Sequence, residues 1–186
     1  LGPNVVVNVT VTRHLVKEFG QAAYGKDRMH VTSALIPGVM AKTGMESAEI
    51  IKGVVEKTEP DAVIVIDALA ARSIRRLNRT VQISDAGIHP GSGVGNNRNA
   101  ITRESLGVPV IAIGVPTVVD AATIVNDALA KLSGGEGREW MRMQDFPEGF
   151  SELYNMYVTG KDVDYEIKQI SHIICDAIEG ALDMQA

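Results

Sequence analysis

Residues 59–73 read EPDAVIVIDALAARS, and the construction of this stretch decides the fold. Glu59, Pro60 and Asp61 form a break, after which residues 62–66 make a short apolar run rich in β-branched side chains that ends in a carboxylate at Asp67. A run of this length with no polar alternation fits a strand buried on both faces. A second run of the same kind, VIAIG at residues 110–114, follows Gly107, Val108 and Pro109. Two such strands are expected to lie parallel, because parallel strands are covered on both sides.

Helical patterns surround them. Ala48, Ile51 and Val55, with Ile50 and Val54, make an apolar stripe that stops before Pro60, and Thr43 and Glu46 ahead of it have capping-box spacing. Pro116 to Asp120 lead into DAATIVNDALAKL, where Ala121, Ile124, Val125, Ala128 and Leu132 recur at helical spacing and Gly134 and Gly135 end the pattern. Near the C-terminus Thr159 and Asp162 repeat the capping spacing, and Val163, Ile167, Ile170, Ile174, Ile178 and Ala181 fall on one face. Strands alternating with helices predict an α/β chain, a three-layer α/β/α sandwich with a mostly parallel central sheet in a single domain over residues 1–186. Residues 5–11, VVVNVTV, are strand-like in composition, although their flanks allow a helix. Residues 133–150 mix Gly, charge and aromatics in no period and are expected to form an excursion.

Composition narrows the function. The chain has 186 residues, 45% hydrophobic and 22% charged, which suits an ordinary globular core. Lys and Arg number 18 against 23 Asp and Glu, a net charge of −5, so a surface built mainly to bind nucleic acid or anionic lipid is disfavoured. Cys175 stands alone and makes no intrachain disulfide, which fits a reduced, cytoplasmic setting. No apolar run reaches the roughly 18–20 residues of a membrane span. The chain starts at Leu1 without Met, inside an apolar segment, so coding sequence ahead of Leu1 is expected.

Chemistry is expected beyond the carboxyl ends of the parallel strands, where loops and helix N-termini converge. Asp67 has that address; the structural alternative is an N-cap for a helix starting at Ala68, and the residues alone leave both open. Residues 84–98, SDAGIHPGSGVGNNR, crowd four glycines with Asp85, His89, Ser92 and Arg98. The stretch is not a Walker loop, a dinucleotide fingerprint or a nucleophile elbow: it lacks G-K-[ST], has Asn96 where a third glycine belongs, and sets Ser92 directly between Gly91 and Gly93. A plain surface loop is the bland reading. His14, His30, His89 and His172 show no metal-ligand spacing. Cys175 fits a small packed hydrophobe and His172 a surface position. Arg72, Arg75, Arg76 and Arg79 cluster directly after Asp67, either as a solvated face or as a docking place for acidic groups.

Four stretches together carry a resemblance: PGVMAKTGMESAEIIKGVVEKTEPD (37–61), IDALAARS (66–73), QISDAGIHPGSGVGN (82–96) and GVPVIAIGVPTVVDA (107–121). They resemble the germination protease family of spore-forming bacteria over residues 1–132, and LYNMYVTGKDVD (153–164) resumes the likeness weakly. The resemblance implies an endopeptidase, made as a zymogen and assembled as a homotetramer, that cleaves small acid-soluble spore proteins during germination inside the developing and germinating spore. The family is distantly similar to hydrogenase maturation endopeptidases, α/β proteins with a carboxylate ending a core strand; by that analogy residues 1–11 are helix. The family's proposed catalytic pair is two aspartates. Asp67 matches one, and the other falls just ahead of Leu1.

Two carboxylates near one water divide the work, one ionised as general base and one protonated to polarise the peptide carbonyl. The alternative is a divalent metal held by the same carboxylates with His89 or another donor. The metal-free pair is favoured, and no cofactor is expected. Asp85, His89, Gly91, Ser92 and Gly93 become candidates for the substrate cleft, and Arg72, Arg75 and Arg76 for acidic stretches of substrate. No direct contact with nucleic acid or membrane is expected. The competing readings are a non-catalytic partner-binding protein on the same fold and, with only the glycine loop behind it, a small-molecule hydrolase or phosphate-binding enzyme.

Overall fold

A computed structural model of the chain describes residues 32–38, 43–90, 98–132 and 151–183. The segment at residues 1–11 and the excursion at residues 133–150 lie outside the described residues. Helix α1 spans Ser47–Thr58. It starts later than the Thr43 and Glu46 spacing predicted: the Thr43 hydroxyl accepts the Met45 N–H at 3.2 Å, while Glu46 itself is the N-cap and donates its N–H to Glu49 Oε2 at 3.0 Å. The helix ends at Glu59, whose left-handed φ of 45° turns the chain into Pro60.

Strand β1 is Val63–Ala71, β2 Gln82–Ser84, β3 Val110–Asp120 and β4 Tyr157–Val158. β3 pairs with β1 in parallel, and with β2 and β4 antiparallel. The mostly parallel sheet is therefore corrected to a mixed one among the described residues. Strands of three and two residues are too short for a periodic pattern to announce, so their pairing decides them. Both expected strands also run further than their apolar runs, to Ala71 and Asp120. Pro116 lacks an N–H and should end such a strand. It is accommodated because it faces Leu69 just before a register shift: Ala70 pairs with Val118, leaving Thr117 as the extra, bulged residue.

Register assigns the faces. Ile66 lies opposite Ile113 and Ala68 opposite Val115, so these four share one face of the β1–β3 pair. Helix α5, Val163–Asp183, covers it, burying Ile174, Cys175 and Ile178 against Ile113 and Val115, with Ile66, Ile170 and Leu182 at the margin. Each fully buried aliphatic side chain contributes about 1.5–3 kcal/mol. Cys175 packs as a small hydrophobe and His172 is exposed, as expected, whereas Ala181 of the expected stripe is exposed. Thr159 does not cap α5; its hydroxyl donates to the Thr117 carbonyl at 2.8 Å and ties the approach to the helix onto the bulge.

Helix α3, Ala121–Leu132, follows β3 directly. Asp120 caps it, accepting the Thr123 N–H and hydroxyl at 2.7 Å each. Ala122 is buried, but Ala128 and Leu132 are exposed, so the apolar stripe is effective only in the first turns. Two short helices, Arg103–Leu106 (α2) and Ser151–Tyr154 (α4), lead toward β3 and β4. No helix among the described residues is long and apolar enough to cross a membrane.

Candidate functional site

Asp67 is not a helix cap. Ala68 to Ala71 continue β1, so the carboxylate stands in mid-strand, on the face opposite α5 and directly across from Gly114. Gly114 puts no side chain beside the carboxylate, and a Cβ there would collide with the Leu69 side chain, which folds over this position. On the other edge of β3 the same glycine faces Gln82 of β2. The half-buried carboxylate thus has a glycine directly across from it, with the Leu69 side chain filling the space a side chain at Gly114 would take.

Asp67 Oδ1 accepts the N–H of Ala68 at 2.8 Å. Burial pushes the Asp67 carboxyl above the ordinary carboxylate value, while the Ala68 hydrogen bond and the Arg98 guanidinium pull it back down. Desolvation wins because removing water penalises the ionised form more than one hydrogen bond and one cation restore. A carboxyl raised in this way is suited to sharing or holding a proton.

The sequence marks Arg98 only as part of the glycine-rich stretch, with no role beside Asp67. The available signal was its place at the end of the glycine-rich stretch. Its position is built from both sides of that stretch. Ile88 and Ile101 exchange two backbone hydrogen bonds, of 2.9 and 2.8 Å, in an isolated antiparallel bridge. Gly87 precedes the bridge with φ 77°, and a Cβ there would run into the Ile101 carbonyl oxygen. The Arg98 N–H donates to the Pro90 carbonyl at 3.4 Å, and the Asn99 N–H to Glu46 Oε2 at 3.2 Å, joining the loop exit to the start of α1. Arg98 Nε is buried and, among the described residues, has no hydrogen-bond partner.

The remaining candidates separate. Asp85 follows β2 and His89 follows the bridge residue Ile88; both are exposed. Gly91, Ser92 and Gly93 lie outside the described residues. Arg72 follows β1, and Arg75 and Arg76 belong to a 3-10 helix, Ile74–Arg76, whose N-cap Ser73 accepts the Arg75 N–H. All four arginines of the cluster are exposed. Arg75 and Arg79 open onto one cleft together with Lys131 of α3; Arg72 and Arg76 do not line it.

Among the described residues, Cys175, Asp176 and Glu179 bring possible metal-ligand atoms within 4.8 Å of one another. They belong to α5, which packs on the face away from Asp67, and Cys175 is spent in the core. No such three-ligand group among the described residues includes Asp67.

These features define an α/β protein with a mixed sheet and an ionisable, half-buried carboxylate presented from a parallel strand. The chain belongs to the germination protease family, whose sequence profile matches residues 1–151. The germination protease of Caldanaerobacter subterraneus subsp. tengcongensis is 49% identical, the match covering 98% of this chain and 61% of that relative. That of Bacillus cytotoxicus is 56% identical over 79% of this chain and 39% of its own length, and that of Bacillus cereus 50% identical over 89% and 46%. The chain thus spans between about two-fifths and three-fifths of these relatives.

Proposed function

We propose that the full-length protein is an endopeptidase that cleaves small acid-soluble spore proteins during germination, with Asp67 as one of its two water-activating carboxylates. The observation that carries this reading is a half-buried carboxyl, raised by desolvation, facing a glycine in mid-strand. The second carboxylate is the family aspartate placed ahead of Leu1. Two carboxylates sharing one water separate in proton affinity, because close like charges do not both ionise readily. The ionised partner takes a proton from water as the oxygen attacks the peptide carbonyl, and the protonated partner donates to the developing oxyanion. Burial favours Asp67 as the partner that holds the proton, with Arg98 limiting how far its affinity rises.

Synthesis as a zymogen, assembly as a homotetramer and action in the interior of the forming and germinating spore are part of the same proposal, supported by membership of the family. So is the three-layer arrangement. It is supported by the burial of Val110 and Ala112, which face away from α5 and so require cover on the second face. The single domain over residues 1–186, with 133–150 as an excursion, is proposed on the same footing.

The test compares cleavage of a purified small acid-soluble spore protein by full-length processed enzyme and by Asp67→Asn. Loss of cleavage with a melting curve at or above that of wild type at neutral pH is expected; cleavage near the wild-type rate would remove Asp67 from the chemistry. Full activity in excess chelator is expected as well, and loss restored by a divalent metal would replace the aspartate pair with a metal-assisted mechanism.

A further inference from the structure

A cleft of about 290 Å³ opens past the carboxyl end of β1, bounded by the turn after the 3-10 helix, by α3 and by the start of α5. Its floor is Asn78, which is 7% exposed and held in the left-handed region at φ 52°. The Asn78 N–H donates to the Pro116 carbonyl at 2.8 Å, and Asn78 Nδ2 to Glu166 Oε2 at 2.7 Å. Across the cleft, Asp127 Oδ2 accepts the Ser73 hydroxyl and the Ile74 N–H, both at 3.0 Å. Both carboxylates in the wall are thus engaged by internal neutral donors.

The three cations are not. Arg75, Arg79 and Lys131 are exposed at the cleft, and among the described residues their side chains make no ion pair or hydrogen bond. They reach it from two separate elements, the turn after β1 and the last turn of α3. Three unengaged cations around a concave surface concentrate positive potential and favour an anionic group. Two features select the anion. The volume suits one or two side chains rather than a large ligand. The fixed carboxylates of Asp127 and Glu166 oppose densely charged phosphate, as does the net charge of −5, whereas a singly charged carboxylate is tolerated. Ile74, 39% exposed at the rim, offers an apolar contact for the stem of an acidic side chain.

We propose that this cleft docks a Glu or Asp side chain of an extended acidic peptide, with Arg79 and Lys131 as its principal charge contacts and with no role for Arg72 or Arg76. Its use as a subsite for substrate rests on the peptidase reading above; the binding itself does not.

The experiment measures fluorescence anisotropy of fluorescein-labelled hexaglutamate with the full-length protein at low ionic strength. Wild type should bind, and the binding should weaken as salt is added. Arg79→Gln combined with Lys131→Gln should weaken it about tenfold, whereas Arg72→Gln combined with Arg76→Gln should change it less than about twofold. Matching melting curves exclude misfolding as the cause. The proposal is overturned if wild type fails to bind hexaglutamate, if both double variants weaken it equally, or if a single-stranded oligonucleotide binds more tightly and is lost in the same cleft variant. Because hexaglutamate binding is read without turnover, failure of spore-protein cleavage would sink the peptidase reading while leaving the cleft standing.

Discussion

Gly87 and Gly107 share a φ of 77° but differ completely in surroundings, which makes them a matched pair. A methyl group on either forces an L side chain into the left-handed region, at about 1–2 kcal/mol. At Gly107 nothing lies within 4 Å of the new Cβ, so that is the whole cost. At Gly87 the Cβ would collide with the Ile101 carbonyl oxygen and stand 2.8 Å from Thr102 Cα, both backbone atoms that cannot rotate away. Relief requires parting Ile88 from Ile101, losing two hydrogen bonds worth roughly 0.5–1.5 kcal/mol each, and shifting Ile101, which is 1% exposed. Gly87→Ala should therefore cost about 2–5 kcal/mol and Gly107→Ala about 1–2 kcal/mol. Urea unfolding of the two variants checks this: with a slope of roughly 2 kcal/mol per molar, the Gly87 variant should melt about 0.5–1.5 M earlier than its partner. Coincident midpoints would refute the claim that the bridge, rather than the turn, makes Gly87 necessary.

Other outcomes follow from the same structure. Ile174→Ala, emptying a core position against Ile113 and Val115, should destabilise by about 2–5 kcal/mol, whereas Ile173→Ala at its 62%-exposed neighbour should stay within about 0.5 kcal/mol in the same melts. Asp67 has a folded-state pKa raised above 3.8, so the native state binds its proton more tightly than the unfolded chain does. Stability from this group is greatest at low pH and falls as pH rises from 3.8 through the raised value, then levels. Asp67→Asn should lack that fall and be as stable as wild type or more so at neutral pH; urea melts from pH 3 to 8 read it, and an identical pH profile in both proteins would contradict the burial argument.

The local pattern of the chain carried the three longer helices and the centres of the two long strands, because apolar periodicity and breakers such as Pro60 act within a few residues, whereas the four-residue helices Arg103–Leu106 and Ser151–Tyr154 are too short to show a period. The stripe on α5 was legible for the same reason: Ile170, Ile174 and Ile178 recur at helical spacing and are the residues that meet the sheet. Asp67 and the arginine cluster were legible as chemistry, but not their settings. An N-cap and a mid-strand carboxylate look alike in residues 66–72 until β3 pairs beyond Gly114 and draws Ala68 to Ala71 into the sheet. That pairing depends on a bulge at Thr117 absorbing Pro116, a compromise between two segments distant in the chain. Arg98 reaches the neighbourhood of Asp67 only because Ile88 and Ile101 close the loop between them. Lys131 joins Arg75 and Arg79 only because α3 packs beside the 3-10 helix. Propensity, charge and family membership were properties of the sequence by itself; register, face and the company each charge keeps were settled by tertiary structure, because those depend on contacts between residues that the chain separates by tens of positions.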